Sequence, residues 1–237
     1  MKYREYKVND DGLEKRLGVL GEVHLYNAAE SAIAEVIVPT YDTIGMEGSG
    51  KSTVFNSLLA LVYTPSGLAY AAATGRLKSS ADQIAKKHHK QIIRLEESEN
   101  VTFPFLQKLS IITMGLISIP LVPFDIYRYL KFGDPSCEGT EAYQKRLEIE
   151  QKNGLLTKFQ NYAFKNNFPI RDAMMADKAI EILQTRSNNV LVICGKKHFP
   201  GVTAHLQKKL DLEERASFES VSDFSQKDIA KRLTHNI

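Results

Sequence analysis

Four residues of this chain have the types and positions expected of an active site in an α/β protein: His24, Glu47, Arg171 and His198. Each histidine completes the pattern Gly-x-x-His at the end of an apolar, strand-like run, and Glu47 ends a third such run. Arg171 begins a helix-like stretch. Because α/β folds collect their sites where strands end and helices begin, we expect these side chains to meet at one edge of a sheet.

Two kinds of chemistry suit this set of residues. His24, Glu47 and His198 form a suitable ligand set for a divalent metal. The same three residues also fit a metal-free hydrolase, in which one histidine is the general base and the carboxylate orients it. Arg171 would stabilise an oxyanion or hold a carboxylate of the substrate.

Structural roles are the alternative for these residues. A histidine at such a turn can simply hydrogen-bond neighbouring backbone groups. Arg171 can pair with Asp172, and Asp172 can cap its own helix. Glu47 can be a solvated carboxylate at a strand end. Cys194 lies in an apolar strand-like run without an adjacent base, so we expect a buried thiol and not a nucleophile.

The elements that carry these residues predict an α/β fold, with a central sheet built from two strand–Gly-x-x-His–helix halves and a large helical insertion. Residues 17–47 show a strand, helix, strand pattern, and the chain from Arg171 onward shows helix, strand, helix. We expect a last strand over residues 216–222. We predict a single domain over residues 1–237, in which residues 52–168 form the helical insertion, because no strong strand pattern occurs there. The helix after Arg171 has an apolar stripe at helical spacing, which consists of Met175, Ala179, Ile182 and Leu183.

Composition indicates a globular protein, since 43% of the 237 residues are hydrophobic and 25% are charged. The net charge of +3 is small for this length and gives no support for nucleic-acid binding. Two cysteines, Cys137 and Cys194, make no disulfide framework and favour reduced thiols in the cytoplasm. The first residues are charged and lack an apolar core, so no secretory signal peptide is predicted.

One uncharged segment, residues 109–124, complicates the expected cytoplasmic location. A membrane-spanning helix needs about 20 apolar residues, and this segment is shorter and contains Pro120 and Pro123. We predict a buried helix with a proline-bent end. The alternative is a hairpin that dips into a membrane or binds a partner, so membrane association through residues 109–124 is a second expectation.

A phosphate-binding pattern overlaps the strand that carries Glu47. Residues 45–52 satisfy Gly-x4-Gly-Lys-Ser, the P-loop pattern, between a strand-like and a helix-like run. A nucleotide with Mg²⁺ would then be bound by Gly45, Gly50, Lys51 and Ser52. However, no unbroken apolar strand ends in the aspartate of a Walker B motif, and no guanine-reading motif occurs. We therefore prefer a hydrolase function to that of a P-loop ATP- or GTP-binding protein.

Four short motifs also occur in an order that is typical of one known family. They are Gly21-Glu22-Val23-His24, Gly45-Met46-Glu47, Arg171-Asp172, and Gly195-Lys196-Lys197-His198-Phe199-Pro200-Gly201. This arrangement resembles the TraB domain family, which is related to PrgY, to the Tiki proteases and, more distantly, to erythromycin esterases and ChaN-like proteins. The resemblance covers residues 17–48 and 168–210, and the middle of the chain matches nothing in the family pattern.

The resemblance implies an α/β fold in which the paired motifs share one site. Its Tiki branch implies metal-dependent hydrolysis of a peptide or small-molecule substrate, with Mn²⁺, Co²⁺ or Zn²⁺ held by His24, Glu47 and His198. The chain departs from the family at Ile170, where a glutamate is common, and at the two lysines before His198. Those lysines weigh against a bound cation and would favour an anionic substrate.

Three functions follow from the sequence, in order of preference. The first is a TraB- or Tiki-like hydrolase. The second is a non-catalytic regulator that binds a peptide or membrane partner through the same site and residues 109–124. The third is a P-loop nucleotide-binding protein.

Overall fold

The structure is a computed structural model that describes residues 1–10, 12–22, 28–48, 54, 58, 80–96, 104–121, 123 and 167–219. The chain divides into two compact units. The first unit comprises Met1–Ser49, Lys78–Glu97 and Arg171–Ile237, and the second comprises Gly50–Leu77 and Ser98–Ile170.

The first unit is an α/β fold whose described residues form a mixed sheet of six strands. The strands are β1 (Lys2–Asp10), β2 (Leu13–Glu22), β3 (Thr43–Met46), β4 (Gln91–Arg94), β5 (Asn189–Gly195) and β6 (Leu212–Phe218). They lie in the order β4-β3-β5-β2-β1-β6. β2 to β5 are parallel, whereas β1 runs antiparallel to both β2 and β6. The parallel strands therefore end at the same edge of the sheet.

Helices cover both faces of this sheet. One face is covered by α1 (Ala28–Ile37), a short 3-10 helix (Val38–Thr40) and α2 (Ser80–Lys87). The other face is covered by α4 (Asn167–Thr185) and α5 (Phe199–Lys209). A further helix of the described residues, α3 (Phe105–Ser118), belongs to the second unit.

β5 shows how one strand contributes to both apolar layers. Leu191 and Ile193 belong to the layer under α1 and α2, whereas Val190, Val192 and Cys194 belong to the layer under α4 and α5. Side chains alternate between the faces of a strand, so a strand covered on both faces is a continuous apolar run. The predicted stripe on α4 is confirmed, since the second layer contains Met175, Ala179, Ile182 and Leu183.

Three features differ from the predicted pattern. The sequence pattern did not predict β1, because charged residues and a buried glutamate, Glu5, interrupt its apolar alternation. Nor did it predict β4, which lies inside residues 52–168 and is only 4 residues long, too short to show a period. Finally, α4 begins at Asn167, so Arg171 lies one turn inside the helix and not at its start.

In the second unit, α3 confirms a helix within residues 109–124 but not its burial. Ile111 is fully buried, whereas Phe105 is 77% exposed and Leu106 is 74% exposed. Four more apolar side chains are exposed: Leu109, Leu116, Ile117 and Ile119. A 3-10 helix at Ile119–Leu121 follows, and it contains Pro120. Within the described residues, every helix is too short or too polar to cross a bilayer.

A buried hydrogen-bond network ties β1 to the segment before β3. Glu5 Oε2 accepts hydrogen bonds from Tyr3 at 2.6 Å, from Tyr41 at 3.1 Å and from Arg16 Nη2 at 2.7 Å. The Arg16 guanidinium also lies 4.2 Å from the centroid of the Tyr41 ring. Burial disfavours the charged form of Glu5, but the hydrogen bonds from Arg16 and Tyr3 outweigh it and leave the pKa of Glu5 lowered. The network therefore holds a carboxylate that stays ionised inside the fold.

Replacing Glu5 by Gln should lower the free energy of unfolding at neutral pH by roughly 2–4 kcal/mol, because Arg16 loses its charged partner. The pKa of Glu5 is lower in the folded state than the unfolded value of about 4.3. Its stabilisation is thus present above that pH and is lost as the pH falls through the folded-state pKa. Urea unfolding between about pH 7 and pH 3 should show the two proteins converging.

The matched control is Glu213→Gln, which changes an exposed glutamate of β6 and should leave the unfolding curves superimposed on those of the unsubstituted chain. A difference between Glu5→Gln and the unsubstituted chain that stayed constant over the whole pH range would contradict the assignment.

Candidate functional site

The predicted site residues that the structure describes lie where the parallel strands end. Glu47 directly follows β3, His198 follows β5, and Arg171 lies on α4, which covers this sheet. Gly45 lies within β3. Four other predicted residues fall outside the described part of the chain: His24, Gly50, Lys51 and Ser52.

The Gly-x-x-His spacing forms a tight turn at the end of β5. The carbonyl of Gly195 accepts the N–H of His198 at 2.8 Å, which closes a four-residue turn. The carbonyl of His198 then accepts the N–H of Val202 at 2.9 Å, so α5 begins at once. The N–H of Lys196 donates to the carbonyl of Glu22 at 2.8 Å and ties the turn to the end of β2. Backbone hydrogen bonds before and after His198 therefore fix the position of its Cα, from which the ring projects.

The Glu47 side chain points into this turn. Its Oε2 accepts the N–H of Gly195 at 2.5 Å. Its Oε1 accepts a hydrogen bond from Arg171 Nη2 at 2.9 Å and lies 3.5 Å from His198 Nε2. Only 10% of the side chain is exposed. Glu47 therefore belongs to the same cluster as His198.

A second carboxylate, Glu96, completes the contacts of Arg171. The guanidinium donates from Nε to Glu96 Oε1 at 2.6 Å and from Nη2 to Oε2 at 2.9 Å, the two-pronged geometry of a strong Arg–carboxylate pair. Glu96 Oε2 also accepts the N–H of Gly48 at 2.8 Å. Gly48 has a φ of 86°, in the left-handed region that favours glycine. One buried arginine thus joins the chain segments that follow β3 and β4.

These contacts involve the first residues of the P-loop pattern. A phosphate-binding loop presents backbone N–H groups to an anion, but the N–H of Gly48 already donates to the Glu96 carboxylate. A phosphate at this amide would meet a negative charge. Lys51 and Ser52 lie outside the described residues, so nucleotide binding through them stays a prediction.

Asp172 contacts the His198 ring on the side opposite Glu47. His198 Nδ1 and Asp172 Oδ1 are 2.5 Å apart, and the two residues are 3% and 6% exposed. The prediction of a helix cap at Asp172 is wrong, because α4 begins at Asn167. The side chains of Arg171 and Asp172 project from α4 about 100° apart, as neighbouring residues of a helix do. Arg171 therefore contacts Glu47 and Glu96, whereas Asp172 contacts His198.

The pKa of the Cys194 thiol reflects the negative charge of the carboxylates around it. Burial raises the pKa of Cys194 well above its ordinary value, and the carboxylates of Glu47, Asp172 and Glu22 raise it further. A raised pKa favours the protonated thiol, which is the unreactive form. The expectation of a buried thiol is confirmed, since Cys194 has no exposed surface. That Cys194 is not a nucleophile stays a prediction.

The predicted metal site is only partly described. Glu47 and His198 face each other, but both Glu47 oxygens already accept hydrogen bonds from Arg171 and Gly195. The third predicted ligand, His24, is not described. Among the described side chains, no group of three or more His, Cys, Asp or Glu residues is arranged to hold a metal ion. The described residues therefore do not make a metal site, and Mn²⁺, Co²⁺ or Zn²⁺ binding stays a prediction.

Sequence reasoning did not single out two buried carboxylates at this edge. Glu96 follows β4, a strand with too little pattern to be noticed. Glu22 ends β2, is 1% exposed and accepts the N–H of Ala81 at the start of α2 at 3.3 Å. The sequence signal for Glu22 was its position at the end of the apolar run that begins the first Gly-x-x-His motif, because acidic residues are rare in such buried strands.

The state of Cys194 can be tested by alkylation. In a Cys137→Ser background, Cys194 should react with iodoacetamide at least about 100-fold more slowly in the native protein than in denaturant, because the thiolate is disfavoured and covered. Mass spectrometry over time measures the rate. Native labelling at a rate close to that of an unfolded thiol would contradict the structure.

Comparisons of this chain with protein-family models, with curated proteins and with solved structures found no match. The likeness to the TraB family therefore depends on the four motifs alone, and the function has to be argued from the geometry of the site.

Proposed function

We propose that this chain is a hydrolase of the TraB or Tiki type that cleaves an amide bond, with His198 as general base beside Glu47 and Arg171. The observation that carries the proposal is the sharing of Glu47 Oε1, which lies 2.9 Å from Arg171 Nη2 and 3.5 Å from His198 Nε2. These groups lie at the strand-end edge of the sheet, where α/β folds carry out chemistry.

The proposed reaction is a direct attack of water on a carbonyl carbon. One water oxygen can lie within hydrogen-bond distance, about 2.8 Å, of both His198 Nε2 and Glu47 Oε1. As the oxygen bonds to the carbonyl carbon, Nε2 takes a proton from the water. The bond between that carbon and the amide nitrogen then breaks as Nε2 gives the proton to the leaving nitrogen, so the products are a carboxylic acid and an amine. Arg171 keeps Glu47 in position through its hydrogen bond to Oε1, while the same guanidinium is also paired with Glu96.

The substrate class comes from the motif resemblance, which suggests a peptide. The water attack described above uses no metal. A metal held by His24, Glu47 and His198 is the other form of the same proposal, in which the ion would polarise the carbonyl or the water.

The proposal predicts that the purified chain hydrolyses members of a mixed fluorogenic peptide library. His198→Gln and Glu47→Gln should each lower the rate by at least about 100-fold, the usual contribution of a general base. His205→Gln is the matched control, because this histidine lies about two helical turns further along α5 than His198 and should keep full activity. Parallel assays with EDTA and with added Mn²⁺, Co²⁺ or Zn²⁺ separate the metal-free form from the metal-dependent form.

A chain that cleaves no peptide under any of these conditions would contradict the proposal. So would a rate that survives in both His198→Gln and Glu47→Gln, because the activity would then come from another site or a contaminant.

The second proposal is that α3 binds a lipid membrane. Residues 104–121 contain one charged side chain, Lys108, and no carboxylate. Phe105, Leu109 and Leu116 recur at helical spacing and are exposed, which is the arrangement of a helix that lies in a membrane interface. A cation and no acidic residue favour a surface with anionic headgroups.

Flotation with vesicles of neutral and of anionic lipid tests this second proposal. The chain should float with anionic vesicles, and Leu116→Glu should lower the bound fraction several-fold because it places a charge in the apolar face. Leu13→Glu, a change at another exposed leucine outside α3, is the control and should bind like the unsubstituted chain. Equal vesicle binding by Leu116→Glu and Leu13→Glu, or no binding by the unsubstituted chain, would contradict membrane binding by α3.

A further inference from the structure

We propose that Lys2 and Arg4 form a subsite that binds a carboxylate of the substrate, beside the cluster that contains His198. The inference rests on the proposed hydrolysis and deepens it, because it assigns a negative charge to the peptide. Binding of the charged group can be measured without cleavage, so the two proposals can fail separately.

The strand register places Lys2 at the same edge of the sheet as the cluster. Lys2 on β1 pairs with Gly21 on β2, and Gly21 pairs with Cys194 on β5, so the three residues form one row across the sheet. β1 runs antiparallel to β2 and therefore begins at the edge where the parallel strands end. With neighbouring strands about 4.8 Å apart, Lys2 lies about 10 Å from β5, the strand that leads into His198.

The ring of Phe199 connects this row to the turn after β5. Phe199 directly follows His198 and is 2% exposed. A Cβ added to Gly21 would lie 2.9 Å from the Phe199 Cβ and 3.0 Å from its Cδ2, so the ring packs on the backbone of β2 where no side chain stands. The ring thereby reaches β1, the next strand of the sheet. The glycine of the first Gly-x-x-His motif thus accommodates the residue after the second histidine.

Two cations of β1 lie over this ring. Lys2 Nζ is 6.0 Å and Arg4 Cζ is 5.8 Å from the centroid of Phe199, close to the limit of about 6 Å for attraction between a cation and a ring face. Because Lys2 and Arg4 are two residues apart on a strand, their side chains project from the same face of the sheet. The Lys2 side chain is 27% exposed and the Arg4 side chain is 31% exposed, so a group in solvent can reach both.

A carboxylate of the chain itself already contacts both cations. Glu219, which follows β6, accepts hydrogen bonds from Lys2 Nζ at 2.8 Å and from Arg4 Nη2 at 3.0 Å. These two hydrogen bonds hold the pKa of Glu219 below its ordinary value, so the pair of cations stabilises an ionised carboxylate. The Glu219 side chain is 50% exposed, and ion pairs so open to water are weak, so another carboxylate can replace it.

The charges and donors of these three residues favour a further anion. Lys2 and Arg4 carry two positive charges against one negative charge on Glu219, so the group has an excess of positive charge. Arg4 Nε is buried and has no hydrogen-bond acceptor among the described residues. Glu219 and, less strongly, the Tyr6 phenol raise the pKa of Arg4, but neither accepts a hydrogen bond from Nε. A peptide carboxylate would balance the charge and give the guanidinium further acceptors.

The position of the subsite predicts where the substrate carries its charge. An extended peptide advances about 3.3–3.6 Å per residue, so the roughly 10 Å between Lys2 and β5 correspond to about three residues. We therefore expect cleavage about three residues from a terminal carboxylate or from an acidic side chain.

The experiment is an NMR titration of the His198→Gln variant, which does not consume the probe under the proposed mechanism. The probes are acetyl-tetra-alanine as the free acid, the same peptide as its amide, and that amide with aspartate in place of the last alanine. At least one anionic probe should bind at least about fivefold more tightly than the neutral amide, as expected of two partly exposed charge pairs. The shifted signals should include those of Lys2, Arg4 and the Phe199 ring.

Substitutions of the three charged residues, made in the same background, test the assignment. Lys2→Gln and Arg4→Gln should each lower the preference for the anionic probe at least about twofold, and the double variant should abolish it. Glu219→Gln removes the internal competitor and should strengthen binding of the anionic probe without changing binding of the amide. Tighter binding on loss of Glu219 is not expected if these ion pairs only stabilise the fold.

Lys7→Gln is the matched control. Lys7 lies on the same strand, is paired with Glu14 at 2.7 Å and has a side chain that is 24% exposed, but it lies toward the opposite end of β1. This variant should keep the full preference for the anionic probe. Circular dichroism verifies that each variant is folded, and Lys2→Gln together with Glu219→Gln suffices for the test if Arg4→Gln does not fold.

The inference is overturned if the anionic probes and the neutral amide bind equally, or if the preference survives in the double variant of Lys2 and Arg4. The proposed hydrolysis can fail separately: preferential binding by a chain that cleaves nothing would leave the subsite standing and remove the hydrolase. Cleavage of neutral and acidic peptides at the same kcat/KM, together with equal binding of the probes, would do the opposite.

Discussion

The pairing of one buried arginine with two carboxylates is the interaction on which the site depends. Arg171 is 6% exposed and donates to both Glu96 and Glu47. Ionised groups so far from water are costly, and removal of one partner from a buried pair typically costs about 3–5 kcal/mol because a charge is left uncompensated. Glu47 shares one oxygen between Arg171 and His198, so the surroundings of the imidazole depend on the guanidinium.

The same arginine also explains why short, separate motifs belong together. Glu47 follows β3, Glu96 follows β4 and Arg171 comes from α4, so the three are far apart in sequence. Their parallel strands end at one edge, and the arginine supplies there a positive charge that pairs with both carboxylates. The neighbouring Asp172 contacts the ring of His198 on the side of α5.

Much of the fold could be predicted because its parallel strands are buried on both faces. β2, β3 and β5 are apolar runs followed by turn or helix signals, and α4 shows a clear stripe. β1 could not be predicted because Glu5 occupies a buried position, and two of the three groups that make its burial favourable, Arg16 and Tyr41, are distant in sequence. In residues 109–124 composition predicted burial, but Leu109, Leu116 and Ile117 are each more than half exposed, so composition alone does not decide which face of a helix is covered.

The candidate site could be predicted in part for a related reason. Glu47, Arg171 and His198 stand beside recognisable elements, and the structure brings all three into one cluster. Glu96 escaped prediction because β4 gives no pattern, and the contact of Asp172 with His198 escaped it because a helix start cannot be located to one residue from the sequence.

The strand order has a consequence for how the chain folds. β1 lies between β2 and β6, and β2 pairs with β5, so the amino-terminal hairpin is completed by strands from the last quarter of the sequence. Pairings between such distant segments form slowly, since a long loop has to close before any contact compensates for it. During synthesis, β2 has to wait with an open edge until β5 emerges from the ribosome, and an unpaired apolar edge is prone to aggregation. The residues of the site therefore assemble late, because Arg171 and His198 meet Glu47 only after β5 has paired with β2 and β3.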